Sequence, residues 1–454
     1  MLQAIVNGRV FDGNDFTYKA LLVKNDTIHA IVAPDNPEVA EAAVLYDAKG
    51  AFVLPGFIDV HVHFNEPGRT TWEGFRTGSA GAAAGGITTV CDMPLNSHPS
   101  ANNAGTLQLK EQSLQHQSFI DFALWGGMTA DMSHNDKALQ AMQDIGIIGF
   151  KGFLSESGIT DFKRLDHDSL PKAMKFCGET DTILGLHAEW EDTLTYYGLK
   201  QTSQKDAAAF LESRPVEAEL EAVDIALDYA AKYNTPLHIV HVSHPEVAER
   251  LYSAKNTGVN VSSETCPHYL LFTDEDFLRE GPLLKCAPPL RDKESVEGLW
   301  EKIHEGKIDI ISSDHSPCPP AMKQRGTNNI WQAWGGIQSI QFGIPAFISH
   351  ALTRGFSLAD ILPLLTHHAA DRFPYLHEQG RIQPGNKANL TIYDPAVDTH
   401  ITADDILFRH KYSPYVGRDI KGAIKATIVS GRCVYKAEEG IVIDQPFGQN
   451  LATL

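Results

Sequence analysis

Leu54-Pro55-Gly56-Phe57-Ile58-Asp59-Val60-His61-Val62-His63 sets the architecture of this chain. It opens with a Pro-Gly turn, runs through a short apolar segment, and ends in two histidines one residue apart. In a strand, residues i and i+2 point to the same side, so His61 and His63 project together from its C-terminal end. Two neutral imidazoles side by side are well suited to one metal ion. Alone, such a pair is a weak signal, because ordinary surface or core histidines also produce it. The other ligands have to be sought elsewhere in the chain.

From Gly56 onward, strand and helix patterns alternate. Strands are expected over 57–62, 87–92, 118–126, 146–153, 182–188, 236–242, 258–264 and 308–313. Helical patterns lie between them, as at Thr71–Gly85, Asp136–Ile145, Pro215–Tyr233 and Pro245–Lys255. Eight strands, each followed by a helix, point to an α/β fold, a parallel (β/α)8 TIM barrel. An open doubly wound sheet would carry a Gly-rich phosphate turn after its first strand. The turn after His63 is instead Asn65-Glu66-Pro67-Gly68.

The flanks read differently. Ala4-Ile5-Val6 precedes Asn7-Gly8, a hairpin signal, and Arg9-Val10-Phe11 follows it. Ala20–Val23 and Ile28–Ile31 flank a turn at Lys24-Asn25-Asp26, and a helix pattern first intrudes at Pro37–Ala43. After about residue 380 strands return, with a turn and strand at Gly385–Asp394 and a hairpin over Ala423–Tyr435. The expected organisation is a barrel over 54–379 and a small β-sandwich built from both ends of the chain, 1–53 and 380–454.

Composition narrows the function classes. With 43% hydrophobic and 21% charged residues, the 454-residue chain is ordinary for a globular protein. A net charge of -19 argues against nucleic-acid and anionic-membrane partners, which want a basic face. The start of the chain lacks the pattern of a secretion signal, and no apolar stretch is long enough to span a bilayer. Six scattered cysteines without CxxC spacing argue against a disulfide framework, so the expected compartment is the cytoplasm.

Barrel chemistry gathers at the C-terminal ends of the strands. Four further strands carry chemistry there: Lys151 within Ile147–Phe153, His187 in Leu186-His187-Ala188-Glu189, His241 in Leu237–Ser243, and Asp314 in Ile310–Pro317. Each has an ordinary reading by itself: a snorkelling lysine, a hydrogen-bonded histidine, a helix-capping aspartate. Together they all fall at one end of the barrel. His238 and His241 lie three apart and should face opposite sides, which leaves His241, at the strand's end, as the one pointing inward. An ammonium cannot ligate a metal, but burial lowers a lysine's pKa and leaves some neutral amine. That amine can add CO2 to give a carbamate, an anion able to bridge two metals. His61 and His63 would then serve one ion and His187 and His241 the other, with Asp314 beside the first.

This pattern resembles the amidohydrolase superfamily in its cyclic-amidase branch, which includes dihydroorotases, hydantoinases or dihydropyrimidinases, and allantoinases. The resemblance runs nearly end to end. Within the branch the strings are most similar to those of the allantoinases: Glu66-Pro67-Gly68-Arg69 with Trp72-Glu73-Gly74, Met93-Pro94-Leu95-Asn96, Cys266-Pro267-His268-Tyr269, Lys285–Arg291, Ser313–Pro320, Trp334–Ile337 and Arg409–Tyr415. Asn389 departs from the family's usual Asp, within the C-terminal strands.

The resemblance implies hydrolysis of the cyclic amide of (S)-allantoin to allantoate, in purine nitrogen catabolism. It implies two divalent metals, zinc foremost with cobalt, manganese or iron as alternatives, bridged by carbamylated Lys151 and activating a hydroxide. Asp314 would act as general base and then acid. Dihydroorotases carry Arg two residues after the second histidine, to pair the substrate carboxylate. Here that residue is Asn65, which suits an uncharged ureide ring. Asn65, Asn96, Cys286 and Ser316 are the expected substrate contacts, Cys318 is expected to pack, and a dimer or tetramer is implied. The alternatives are a broader hydantoinase or dihydropyrimidinase activity, and a non-catalytic scaffold.

Overall fold

The computed structural model describes residues 1–203 and 205–453. Its parallel strands are β1 (Phe57–Val62), β2 (Ile87–Asp92), β3 (Asp121–Leu124, continued by Gly126–Gly127), β4 (Phe150–Phe153), β5 (Leu184–His187), β6 (Leu237–Ile239), β7 (Val261–Thr265) and β8 (Ile310–Ile311). Neighbours pair in chain order from β1 to β3 and from β3 to β8. The ring closes where Val62 bridges His315 and the His63 amide donates to the His315 carbonyl at 2.8 Å. This is the expected barrel, with shorter strands than the apolar runs suggested.

The barrel interior is filled by Ile58, Val60, Cys91, Ala123, Trp125 and Ile310, and is plugged from below by Ala370, Phe373 and Leu376. The Trp125 indole donates to the Val60 carbonyl at 3.0 Å. An outer layer of Phe57, Val62, Ile87, Val90 and Phe150 meets the surrounding helices. Val60 and Val62 thus face opposite ways, although strict alternation would put them on one side. A register shift in the β1–β2 pairing between Asp59 and Val62 accounts for this.

The helices start where local chemistry permits. Asn135 accepts from the Ala138 amide to open Asp136–Ile145, and Asp292 accepts from Ser295 to open Lys293–His304. Thr71–Gly85 is shorter than expected, spanning Phe75–Ala84. Gly74 sits at φ 97° just ahead of it, and the Phe75 amide is taken by Glu66 Oε2 at 2.8 Å. Residues 65–73 are thereby freed as a loop over the barrel mouth.

The terminal strands form one nine-stranded sheet, in which Phe52–Pro55 joins Leu2–Phe11 to Leu390–His400. Ile5, Leu21, Val23, Ile392, Ala426 and Ile428 from distant strands share one cluster, so the sheet coils around its own core. Asn7-Gly8 is no hairpin. Leu2–Phe11 runs straight through it as a bulge, with Asn7 at φ 55°. A Cβ on Gly8 would lie 2.5 Å from Val53 Cγ2, so the close strand approach needs glycine. The expected hairpin does form between Asp419–Val429 and Arg432–Lys436, turning on Ser430 and Gly431, both at positive φ. Among the described residues no helix is long and apolar enough to cross a membrane.

Candidate metal centre and substrate cavity

The expected strand-end residues converge. His61 Nε2 and His63 Nε2 lie 3.3 and 3.4 Å from Asp314 Oδ1. On the other side His187 Nδ1 lies 2.9 Å from His241 Nε2. The two groups adjoin, with the His61 and His241 rings 5.5 Å apart. Lys151 is fully buried beneath them, and its Nζ has no hydrogen-bond partner among the described residues. Its Nζ lies 4.9 Å from the centre of the Phe153 ring, which stacks on His187.

Two buried carboxylates that sequence reasoning missed decide how the imidazoles present themselves. Glu264, on β7, takes His61 Nδ1 at 2.5 Å and also holds His238 and the Ser312 hydroxyl. Glu189 takes His187 Nε2 at 2.8 Å and is clasped from behind by Arg214. A carboxylate accepts, so each histidine donates its N–H to the carboxylate and turns its other nitrogen's lone pair into the site. The His61 lone pair facing Asp314 Oδ1, and the His187 lone pair facing His241 Nε2 at 2.9 Å, mark positions that a shared proton or a bound cation would fill. His61, His63 and Asp314 each offer a ligand atom within 4.8 Å of the others. The donor set therefore fits divalent ions, and the orphaned Lys151 amine lies where an additional anion would be welcome.

Electrostatics follow from the sealing. Burial would raise the Asp314 carboxyl, but His61 and His63 beside it hold it down at about 2. Burial likewise works to raise Glu264, and the His61 and His238 contacts keep it well below the usual range. Burial pushes Lys151 down to about 7, with Glu264 and Asp314 resisting. Burial also lowers His61, His187 and His241, and Lys151 adds to this in all three.

Backbone strain concentrates at the same place. His241 and Asp314 both sit at φ 43°, and Asn65 and Asn96 at 65° and 67°. Left-handed backbone at non-glycine residues costs roughly 1–2 kcal/mol each and is held by surrounding structure. This corrects the strand-alternation argument for His238. The strand β6 ends at Ile239, and the left-handed turn at His241 brings its side chain back over the interior. His238 is interior as well, stacked on Trp125 and bonded to Ser262 and Glu264.

Above these residues lies a cavity of about 280 Å³ whose wall includes Asn96, Phe153, Cys286, Ser316 and Trp334. Of the four expected substrate contacts, Asn65 is the exception. It is buried off the wall, its amide donating to the Pro317 carbonyl at 3.4 Å, because its left-handed backbone turns the side chain inward. Arg69 is also withdrawn: it donates to the Asn96 carbonyl and lies over Trp72, which packs edge-on against Trp334. Burial and Asp314 push the Cys286 thiol up to about 12, away from the thiolate form that a nucleophile uses. Cys318 packs against Tyr412 as expected. His268 is buried and pushed down to about 4 by that burial.

The far wall, Trp331–Gly336, is fastened by two lysines that sequence reasoning also missed. Lys285 donates to the Trp331 and Ala333 carbonyls, and Lys323 to those of Gly336 and Lys285. Gly336, at φ 142°, lies so near Ser316 that a Cβ would come within 2.5 Å of its carbonyl oxygen.

The chain is similar to known proteins over almost its whole length. It is 40% identical to an allantoinase of Rubrobacter xylanophilus, covering 93% of this chain and 92% of that one. It is 41% identical to an allantoinase of Bacillus velezensis, covering 92% and 91%. Among solved structures, L-hydantoinase (dihydropyrimidinase) from Arthrobacter aurescens superposes with a TM-score of 0.93 at 31% identity, covering 99% of both chains. Dihydropyrimidinase from Brevibacillus agri gives 0.89 at 26% identity, covering 99% and 98%. The amidohydrolase family model matches residues 52–434, from the strand that joins the terminal sheet, through every barrel strand, to the return of that sheet. With its strand ends converging on one cluster of histidines and Asp314, and the family model matched over that whole span, the chain belongs to the amidohydrolase family.

Proposed function

We propose that this protein hydrolyses the hydantoin ring of allantoin to allantoate. The observation that carries the reading is the cavity: small, floored by two histidine groups, and lined by a single Arg or Lys, Arg214, already engaged by Glu189. A cavity of that size suits a compact ring, and Glu189 holds only one edge of the Arg214 guanidinium, leaving the other for a polar group of the substrate. The allantoinases similar to this chain support the same choice.

His61, His63 and Asp314 would hold one divalent ion and His187 and His241 a second. Between them Lys151, carbamylated by CO2, would supply the bridging anion. Zinc, cobalt, manganese and iron all suit these ligands, zinc foremost. When bound, the ions supply a water ionised near neutrality and Lewis-acid polarisation of the ring carbonyl. Asp314 takes the water's proton and passes it to the departing ring nitrogen. Asn96, Cys286 and Ser316 orient the ring, and Trp334 and Phe153 exclude water. Six free cysteines accord with a cytoplasmic setting, and a dimer or tetramer rests on the family resemblance.

The deciding experiment compares turnover of allantoin, hydantoin, dihydrouracil and dihydroorotate by metal-loaded protein. Allantoin should lead. A lead for hydantoin or dihydrouracil would favour the second reading, a broader cyclic amidase, which the superposition on L-hydantoinase recommends.

A further inference from the structure

The cavity over the histidines is not closed on all sides. Beside it lies a second of about 510 Å³, walled by Ser155, Glu191, Leu194, Leu199 and Trp331 among others. Glu156 and Arg214 are common to both and form the partition between them. Arg214 spends one edge of its guanidinium on Glu189, through Nε at 3.0 Å and Nη2 at 2.5 Å. Its Nη1 has no acceptor among the described residues, and the side chain remains 20% exposed. The Glu156 carboxylate is more open, at 71%, with Arg164 Nε 3.4 Å away.

A hydantoin ring alone would leave this partition unused. Allantoin differs from hydantoin by a ureido arm, which carries one carbonyl acceptor and three N–H donors. The shared wall offers the complement: a guanidinium donor edge and a carboxylate acceptor, both lining the ring cavity and the cavity beside it. We propose that Arg214 is a specificity-determining residue that donates to the ureido carbonyl, with Glu156 accepting from the ureido N–H groups as the arm reaches toward the second cavity. Arginine is required because its planar fork serves Glu189 with one edge and a ligand with the other, which a lysine ammonium does not reproduce. This rests on allantoin being the substrate.

The test compares allantoin with hydantoin, as substrate or competitive inhibitor, in wild type, Arg214→Lys and Glu156→Ala, each with its metal content measured. Arg214→Lys keeps a cation against Glu189. It should lose about tenfold to a hundredfold in kcat/KM for allantoin beyond any loss in hydantoin use, the scale of one charge-assisted hydrogen bond. Glu156→Ala should lose about tenfold for allantoin and leave hydantoin within about threefold. Equal losses for both ligands in Arg214→Lys would overturn the proposal, since support of Glu189 and His187 alone affects both alike. Should Arg214→Lys fail to hold metal, Glu156→Ala decides, because Glu156 bonds to none of the site histidines, and an unchanged allantoin-to-hydantoin ratio there overturns it. Absence of allantoin turnover in wild type would instead refute the proposed function, a separate outcome.

Discussion

His61 Nδ1 lies 2.5 Å from Glu264 Oε1, with both side chains sealed from solvent. The contact settles which imidazole nitrogen carries the proton and so which one faces Asp314. Glu264→Gln keeps the shape but removes the charge. Metal affinity should fall about tenfold to a hundredfold, the usual cost of losing a carboxylate behind a ligating histidine. Competition with a calibrated chelator measures this, and unchanged affinity would show that the pair is only structural.

Lys151→Ala should lose metal and activity together, because the anion expected between the two histidine groups disappears. Elemental analysis alongside an allantoin assay checks both at once. An active, fully loaded variant would refute the bridging role.

Asp314→Asn should cut kcat by about 10²–10⁴, the range for a positioned acid–base group, with the far-UV spectrum unchanged. Asparagine tolerates the left-handed backbone that Asp314 adopts, so the loss is not one of folding. A variant retaining wild-type kcat would move the proton-transfer role elsewhere.

Lys323 gives a pH signature away from the metal. Burial lowers it from 10.5 to about 8. A lysine lowered on folding destabilises where it must be protonated, in full below the folded value, and ceases to do so above the unfolded one. Wild-type Tm measured against Lys323→Met should therefore improve as pH rises from about 8 to 10.5, at about 1.4 kcal/mol per unit of displacement. A difference independent of pH would contradict this.

Removing metal with a chelator should lower Tm, and restoring it should bring stability and activity back together. A Tm indifferent to metal would mean that the facing lone pairs are relieved by some other means, such as protonation of Asp314 or His63.

The barrel and its strand-end residues were readable because each rests on a short-range rule: alternation in strands, turns at Pro-Gly, chemistry at one end of the ring. His61, His63, Lys151, His187 and Asp314 came together as strand-end residues, and His241 joined them through a left-handed turn rather than by strand alternation. What escaped depended on the third dimension. Glu264 and Glu189 look like ordinary acidic residues in Ser263-Glu264-Thr265 and Ala188-Glu189-Trp190, and only burial against a histidine gives them meaning. Lys285 and Lys323 were opaque for the same reason, since their acceptors are main-chain carbonyls that no residue name betrays. Asn65 misled because a φ of 65° reverses its side chain. Asn7-Gly8 misled because the dipeptide that makes a tight turn also makes a bulge.

The seam of the barrel runs through the site, where the His63 amide meets the His315 carbonyl. Its two sides come from opposite ends of the barrel segment. On a ribosome adding about 5–20 residues per second, the first histidines are made roughly 12–50 s before Asp314. Throughout that interval His61 and His63 have neither their carboxylate nor the last strand to lean on. Any ion captured early would be held by two imidazoles and solvent, so the full ligand set exists only once the ring has closed.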